Sequence, residues 1–392
     1  MMRTYERTHP WLKFSLNLLS APHLFWLSLG EIRSKCEHIA GVPLPISMGD
    51  QLYQLYLARG IQATTAIEGN TLSEQQVRQQ IEGKLQLPPS VAYQGREVEN
   101  ILIACNTILE DVIAGKPAKL TVGHIKIFNG LVLAGLPVKE GVVPGEIRKI
   151  PVAVGSYRGA PAEDCEYLLE RLCLFLNAEQ ERETSLDRLS LSVLLAITAH
   201  LYLAWIHPFG DGNGRTARLV EFLLLLNGGV PAPAAHLLSN HYNKTRPRYY
   251  QELDRASGSG GEVMPFLLYA LQGFVDGLRG QLEDIRHFQH RVMWRDYVRE
   301  ILQSEGNTRS VEVRARQQLL VVALSEREQP VAPAEIKLLT PEIAQAYARK
   351  TPKTVSRDLN ALRELELIEI GRSGVRARTE KILSFLPPMK TA

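Results

Sequence analysis

The chain has 392 residues, which at roughly 100 to 200 residues per domain predicts two or three domains. With 45% hydrophobic and 22% charged residues it carries enough apolar surface to offset the entropy of ordering, which excludes wholesale disorder. Lys and Arg number 45 against 42 Asp and Glu, a formal charge of +3, too slight to coat nucleic acid or membrane by bulk electrostatics, so any anion site must be local.

In chain order, the stretch from Trp11 to Leu29 has the apolarity of a signal peptide, but Lys13, Asn17, Pro22 and His23 interrupt it and it reads as structural. From about Ser47 to Gln80 apolar residues recur at helical spacing, with a break at Glu68, Gly69 and Asn70. Ser73 followed by Gln76 is a capping box, which starts a second helix toward Gly83 and ends the first near Glu68. Between Val142 and Ser156, PGEIRKIPVAVGS reads as extended, a short edge hairpin with a turn at Pro144 and Gly145. Helical patterns resume over Ala162 to Asn177, Leu186 to Ile206, Arg215 to Leu226, and Pro247 to about His290 with a loop at Gly258 to Gly261. Leu191 to Ile206 is apolar on nearly every face and falls short of the roughly 20 residues of a membrane span, so it reads as the central helix of a bundle and no membrane partner is expected. A boundary is expected near Gly306 to Ser310, before a helical run from Arg314. Cys36, Cys105, Cys165 and Cys173 lack CxxC spacing in a chain too long to need disulfides, which fits a reducing cytoplasm.

The chemistry lies after the central helix, in HPFGDGNGRTAR from His207 to Arg218. Gly212, Asn213 and Gly214 open a helix with backbone freedom that can turn amide N–H groups inward as a phosphate cradle. Arg215 and Arg218, three apart, share a helix side and can hold further phosphate oxygens. Asp211 can hold Mg²⁺ through one carboxylate while phosphates and water complete the octahedron. His207 has an intrinsic pKa near neutrality and can take a proton from an incoming hydroxyl. Taken singly, each is more often a turn, a surface pair or a structural histidine; the eight fixed positions together have a chance frequency on the order of 10⁻⁸ for a chain of this length.

The run strongly resembles the signature of the Fic-type adenylyltransferases, HxFx(D/E)GNGRxxR, without departure. That resemblance implies transfer of AMP from ATP to a Ser, Thr or Tyr hydroxyl of a target protein, and to the chain itself, with release of pyrophosphate. It implies His207 as general base, Asp211 for Mg²⁺, Gly212 to Gly214 for the α- and β-phosphates, Arg215 and Arg218 for the outer phosphates, and Phe209 as the loop's anchor in the core. Upstream, TTAIEGN from Thr64 to Asn70 puts Glu68 at a helix C-terminus, where the dipole disfavours an anion and a cation partner, with Arg218 the candidate, would compensate. The segment resembles the (S/T)xxxE(G/N) inhibitory motif of many Fic proteins, with Thr64, Glu68, Gly69 and Asn70 at its positions. The resemblance implies that Glu68 pairs with the second arginine and takes the space of the γ-phosphate.

PGEIR at Pro144 to Arg148, followed by VAVG at Val152 to Gly155, resembles the family's flap, an edge that accepts a target segment by strand addition. LSNHYNKTRPRYYQEL from Leu237 to Leu253 resembles its base-lining segment, with Tyr249 set to pack on adenine or in the core; Thr245 stands where an asparagine is common and Asn243 lies close by. In the tail, Thr340 caps a helix opened by Pro341, a second helix from Lys353 repeats Val355, Leu359 and Leu362, and IEIGRSGVRA would form a wing. That pattern looks like a winged helix-turn-helix with Arg372, Arg376 and Arg378 available to phosphates. Between Lys353 and Arg378 six basic residues face four acidic ones, a weak DNA footprint, so protein contact or a homodimer stands equally open.

The sequence therefore predicts a mostly α fold, a Fic-type helical bundle with a β-hairpin flap plus a winged helix-turn-helix. The expected divisions are 1–110 with the inhibitory motif, 111–290 as the core and 291–392 as the tail. The expected activity is self-inhibited AMP transfer using ATP and Mg²⁺, with two alternatives: a DNA-binding regulator whose core senses nucleotide, or a hydrolase in which Glu68 positions water to remove AMP.

Overall fold

In the computed structural model, which describes residues 2–116, 119–155, 157–304 and 309–383, helix dominates because apolar residues return at helical spacing and polar caps punctuate them. In chain order the helices are α1 (Thr4–Thr8), α2 (His23–Gly41), α3 (Ile46–Ile67), α4 (Glu74–Ile81), α5 (Ala92–Ile113), α6 (Val122–Leu133), α7 (Cys165–Glu181) and α8 (Arg188–Ile206). They continue as α9 (Asn213–Asn227), α10 (Ala232–Ala235), α11 (Leu237–Lys244), α12 (Arg246–Gly258), α13 (Met264–Gln303), α14 (Val311–Ser325), α15 (Pro341–Tyr347) and α16 (Pro352–Glu364). Two short antiparallel hairpins are present: β1 (Ala153–Val154) with β2 (Tyr157–Arg158), and β3 (Ile368–Gly371) with β4 (Gly374–Ala377). The chain divides into two compact units, Met1–Glu283 and Asp284–Ala392.

The first unit has one continuous apolar core, with members from Leu12 to Leu278. Its centre is α8, which is long and apolar enough to cross a membrane by length and composition alone, yet is 89% buried inside the fold over its apolar window. Asp187 caps it by accepting from the Ser190 N–H at 3.0 Å, and α9 packs along it with Leu219 to Leu226 buried. An all-round apolar helix needs a partner on every side, and α2, α7 and α9 supply them. The loop between α8 and α9 is thereby clamped at both ends by buried helices. The α3–α4 break falls where Glu68, Gly69 and Asn70 predicted it, and the Ser73–Gln76 capping box is made in both directions.

Two readings change. PGEIR is not a strand of the hairpin: Ile147 bridges Phe209 in the α8–α9 loop, and Val152 to Gly155 turns back on Tyr157 and Arg158 instead. Pro151 separates the two segments and breaks their pairing. Helix α13 runs through His290 to Gln303. The expected boundary at Gly306 to Ser310 lies mostly outside the described residues.

The second unit has its own core, built around Trp294, Val298, Leu320 and Ile343. Thr340 caps α15 by accepting from the Ile343 N–H at 3.2 Å, and α16 buries Val355, Leu359 and Leu362. Asp358, also on α16, is buried and accepts from Arg316 at 2.8 Å and Tyr347 at 2.8 Å. On the β3–β4 hairpin, Arg376 is paired with Glu369 at 2.6 Å and Arg378 with Glu380 at 3.4 Å. Two of the three arginines expected to be available to phosphates therefore carry exposed ion pairs with neighbouring carboxylates. The four cysteines are free and buried, and burial pushes Cys36, Cys105 and Cys173 up to about 12.

Ile197 lies at the centre of α8 with none of its surface exposed. Ile197→Ala is expected to destabilise the first unit by about 2 to 5 kcal/mol, read as a lowered midpoint in chemical denaturation.

Candidate functional site

Helix α8 ends at His207, which caps it in the left-handed conformation, φ 50° and ψ 59°. That is an uncommon backbone for a residue with a Cβ, and it persists because neighbours fix it. The His207 N–H closes the helix onto the Leu203 carbonyl at 2.9 Å, and the His207 carbonyl accepts from Arg148 Nε at 2.8 Å. Arg148 is buried and also donates to the carbonyls of Ile150 and Ala160, while its own N–H reaches the Pro208 carbonyl. The Ala160 N–H donates to the Ile206 carbonyl at 3.2 Å. Gly159 passes so close that an added Cβ would lie 2.9 Å from His207 Cβ. Burial lowers the His207 pKa to about 4, against the raising effects of the Ala204 carbonyl, Glu68 and Asp211. The imidazole is therefore neutral at pH 7, with a lone pair able to accept a proton.

The following loop is locked from within. Asn213 donates to the Phe209 carbonyl at 2.8 Å and accepts the Phe209 N–H at 2.9 Å, and the Phe209 ring is buried. The Asn213 side chain thus holds the loop, leaving to the backbone the anion-facing role. Asn129 on α6, fully buried, donates to the Asp211 carbonyl at 2.9 Å and to Thr216 Oγ1 at 3.2 Å, and accepts the Gly145 N–H at 2.9 Å. One amide so joins the loop, α9 and the turn before Arg148. Gly212 has φ +73° and no room for a Cβ against Asn129 and Val132, both 3.1 Å away.

Around the start of α9 each motif arginine meets a carboxylate. Arg218 is buried; its Nη2 donates to Glu68 Oε1 at 2.6 Å and to the Thr64 carbonyl at 2.9 Å, and its Nε to Thr64 Oγ1 at 2.6 Å. Its Nη1 is buried and has no hydrogen-bond partner among the described residues. Glu68 Oε1 stands where a side chain on Gly214 would go, 2.2 Å from the added Cβ. Burial by itself would raise the Glu68 carboxyl, but the Arg218 guanidinium outweighs it, with help from Arg215 and His207, and holds it below the usual carboxylate range. Arg215, also buried, donates to Glu97 Oε1 at 2.9 Å and lies 3.5 Å from Asp211 Oδ1. Glu97 Oε2 in turn accepts from Asn70 Nδ2 at 2.9 Å, so the α3–α4 turn is tied to the same carboxylate.

A cavity of about 680 Å³ is lined by Glu68, His207, Asp211, Gly214, Arg218 and Tyr249, with Tyr250 at its wall, and Arg215 is not among its lining residues. Tyr249 is buried, stacked on Tyr242 with centroids 4.8 Å apart, and its hydroxyl lies 2.8 Å from His200 Nε2, so it serves the core and the cavity wall together. Thr245 bonds Tyr269 at 2.6 Å and Asn243 bonds Gln62 at 3.5 Å; neither lines the cavity. Tyr250 and Arg246 instead reach the carbonyls of Ile67 and Ala66 at the end of α3. The Asp211 side chain is 42% exposed beside the cavity, and no cluster of three metal-ligating side chains exists among the described residues. That donor set fits a Mg²⁺ carried mainly by phosphate and water, with one protein carboxylate. The orphaned Arg218 Nη1 beside the glycine turn fits an anionic ligand.

Sequence reasoning left out Asn129, Arg148 and Glu97. Asn129 and Glu97 sit in helices α6 and α5, which no chemical motif marked, and Arg148 lay within the PGEIR segment without a role of its own.

Residues 119–225 match the Fic/DOC family model. Among curated proteins, the protein adenylyltransferase Fic of Culex quinquefasciatus is 31% identical over 206 residues, 53% of this chain and 38% of that protein. The protein adenylyltransferase fic-1 of Caenorhabditis briggsae is 28% identical over 240 residues, 61% of this chain and 43% of that one. The matches span less than half the length of these relatives. Among solved structures, a Fic family protein from Desulfovibrio desulfuricans G20 superposes with a TM-score of 0.56 at 21% identity, over 93% of this chain and 98% of that one. Fic-1, residues 134 to 508, from C. elegans gives 0.54 at 24% identity, over 67% and 73%. The fold is shared with these proteins.

Because the folded Glu68 carboxyl titrates below its unfolded value, the stability it contributes is present at neutral pH and lost as pH falls through its folded pKa. The denaturation midpoints of the wild type and Glu68→Gln are expected to differ at pH 7 and to converge well below pH ~4, the ordinary carboxylate range.

Proposed function

We propose that this chain, whose residues 119–225 form a Fic/DOC domain, is a self-inhibited protein adenylyltransferase that moves AMP from ATP to a hydroxyl side chain of a protein. The observation that carries this reading is the convergence on one cavity of a neutral imidazole, a glycine turn at a helix start and a buried guanidinium with an unpartnered N–H. In the reaction a hydroxyl oxygen attacks the α-phosphorus of ATP, its proton passes to His207 Nδ1 or Nε2, and the bond to pyrophosphate breaks. Arg218 and the amides of the Gly212 to Gly214 turn hold phosphate oxygens, and Arg215 adds a second fixed positive charge. Asp211 would hold Mg²⁺, which neutralises phosphate charge when bound. The burial of α8 and α9 at both ends of the loop supports precise alignment, on which phosphoryl transfer mostly depends. The open edge of β1 beside the cavity suits pairing with an extended target segment, which reads backbone before side chain.

Glu68 supports self-inhibition directly. A carboxylate bonded to Arg218 at 2.6 Å and lying against Gly214 repels a polyphosphate and occupies its place. The same carboxylate beside His207 also favours, as a second reading, water activation for removing AMP from a modified protein. The ion-paired arginines of the β3–β4 hairpin lend no support to DNA recognition there.

Glu68→Gly is expected to raise incorporation of label from α-labelled ATP into the chain itself by at least about tenfold, since it removes a competing charge held against Arg218. His207→Ala in that background should abolish the labelling. Equal incorporation by all three forms would sink the reading, and label loss from a pre-modified chain only when Glu68 is present would favour the hydrolase.

A further inference from the structure

A hairpin of two residues per strand does not hold itself together in water, yet β1–β2 stands at the mouth of the site with Ala153 and Val154 exposed. Something outside it must fix its position. On the inner side the Tyr157 hydroxyl donates to the Trp205 carbonyl at 2.8 Å and the Ala160 N–H to that of Ile206. On the outer side lies the N-terminal segment. The Gly159 N–H donates to the Val152 carbonyl at 3.1 Å, so the next pair, Ala153 with Arg158, has its backbone groups directed away from the hairpin. The outward carbonyl of Arg158 is met by His9 Nε2 at 2.9 Å.

His9 is 6% exposed, and its ring contacts those of Trp11 and Tyr157 at centroid distances of 4.9 and 6.1 Å. A carbonyl only accepts, so Nε2 carries the hydrogen, and Nδ1 lies 2.8 Å from Thr8 Oγ1. Burial lowers the His9 pKa, which favours this neutral form. The segment is anchored on both sides of His9. Buried Asp164 takes Arg3 Nη1 at 3.1 Å and the Tyr5 N–H at 2.8 Å. Beyond His9, Trp11 lies against Gly261 and Phe14 stacks on Tyr202 at 4.9 Å.

We propose that residues 3–14 form a strap that fixes the β1–β2 hairpin beside the imidazole, with His9 as a positioning residue for the acceptor protein; the proposal rests on the AMP-transfer reading above. With the outer edge of β2 occupied by His9, the edge of β1 is the side left for an incoming extended segment. Loosening the strap blurs the placement of that segment and leaves the phosphate site, held by Asn129 and Asn213, in order.

The test compares two outputs of the Glu68→Gly chain with ATP: label fixed on protein, which needs the hairpin, and AMP released by attack of water on the same phosphorus, which does not. Adding His9→Ala is expected to lower protein labelling about five- to tenfold, the loss of a buried hydrogen bond, with AMP release within about twofold. His9→Gln, whose amide N–H reaches the position of Nε2, should restore most of the labelling. Unchanged labelling, a joint fall of both outputs, or no recovery with glutamine overturns the proposal. If Glu68→Gly yields neither labelled protein nor AMP, the transfer reading fails instead, and amide hydrogen exchange decides the strap on its own. His9→Ala should then speed exchange at Gly159 and leave α8 protected, and unchanged exchange at Gly159 rejects it.

Discussion

Arg218 sets the terms for the rest of the site. A guanidinium cannot shed its charge at any ordinary pH, and this one, carried by α9 and buried against the end of α3, must be met by acceptors or it destabilises the fold. Thr64 supplies two of them and Glu68 the charged one. The carboxylate is therefore a structural requirement of the fold, and under the proposed AMP transfer it is also the group a nucleotide must displace. Displacing it is tolerable only when another anion takes its place. The same burial explains why the wrong end of a helix carries an acid: Arg218 outweighs the unfavourable dipole of α3 by proximity.

The second requirement is geometric. His207 sits in a backbone conformation that a histidine adopts reluctantly, and no single contact maintains it. Arg148 binds the carbonyls on either side of the α8 terminus, Ile147 bridges Phe209, and Asn213 closes the loop on Phe209. The 147–148 segment, Ala160 and the loop after His207 thus converge on one residue. Strain of this kind persists when its surroundings over-determine it, and the result is an imidazole whose direction is fixed before any ligand arrives.

Much of this was legible in the sequence, for identifiable reasons. Periodicity gave the helices, the Ser73 and Thr340 caps gave two starts within a residue, and the eight-position run from His207 to Arg218 located the chemistry because several rare residue types had to coincide. What stayed hidden depends on tertiary partners. Glu97 is an ordinary helical glutamate until α5 is laid against α9, and Asn129 is an ordinary asparagine until α6 carries it under the loop. The hairpin was displaced by one segment because Pro144, Gly145 and Pro151 all signal turns, and only the pairing of Ile147 with Phe209 decides which of them begins it. Tyr249 was ambiguous between core and cavity, and it stands at the border of the two.

One carboxylate has a wider reach than its position suggests. Glu97 holds Arg215 with one oxygen and the amide of Asn70 with the other, so Arg215 and the turn that carries Glu68 share a common intermediary. Thermodynamic linkage makes such sharing reciprocal: whatever draws Arg215 away slackens the grip on that turn, and whatever lifts the turn frees Arg215. The two arginines thus meet the same turn from two sides, Arg218 through Glu68 and Arg215 through Glu97 and Asn70.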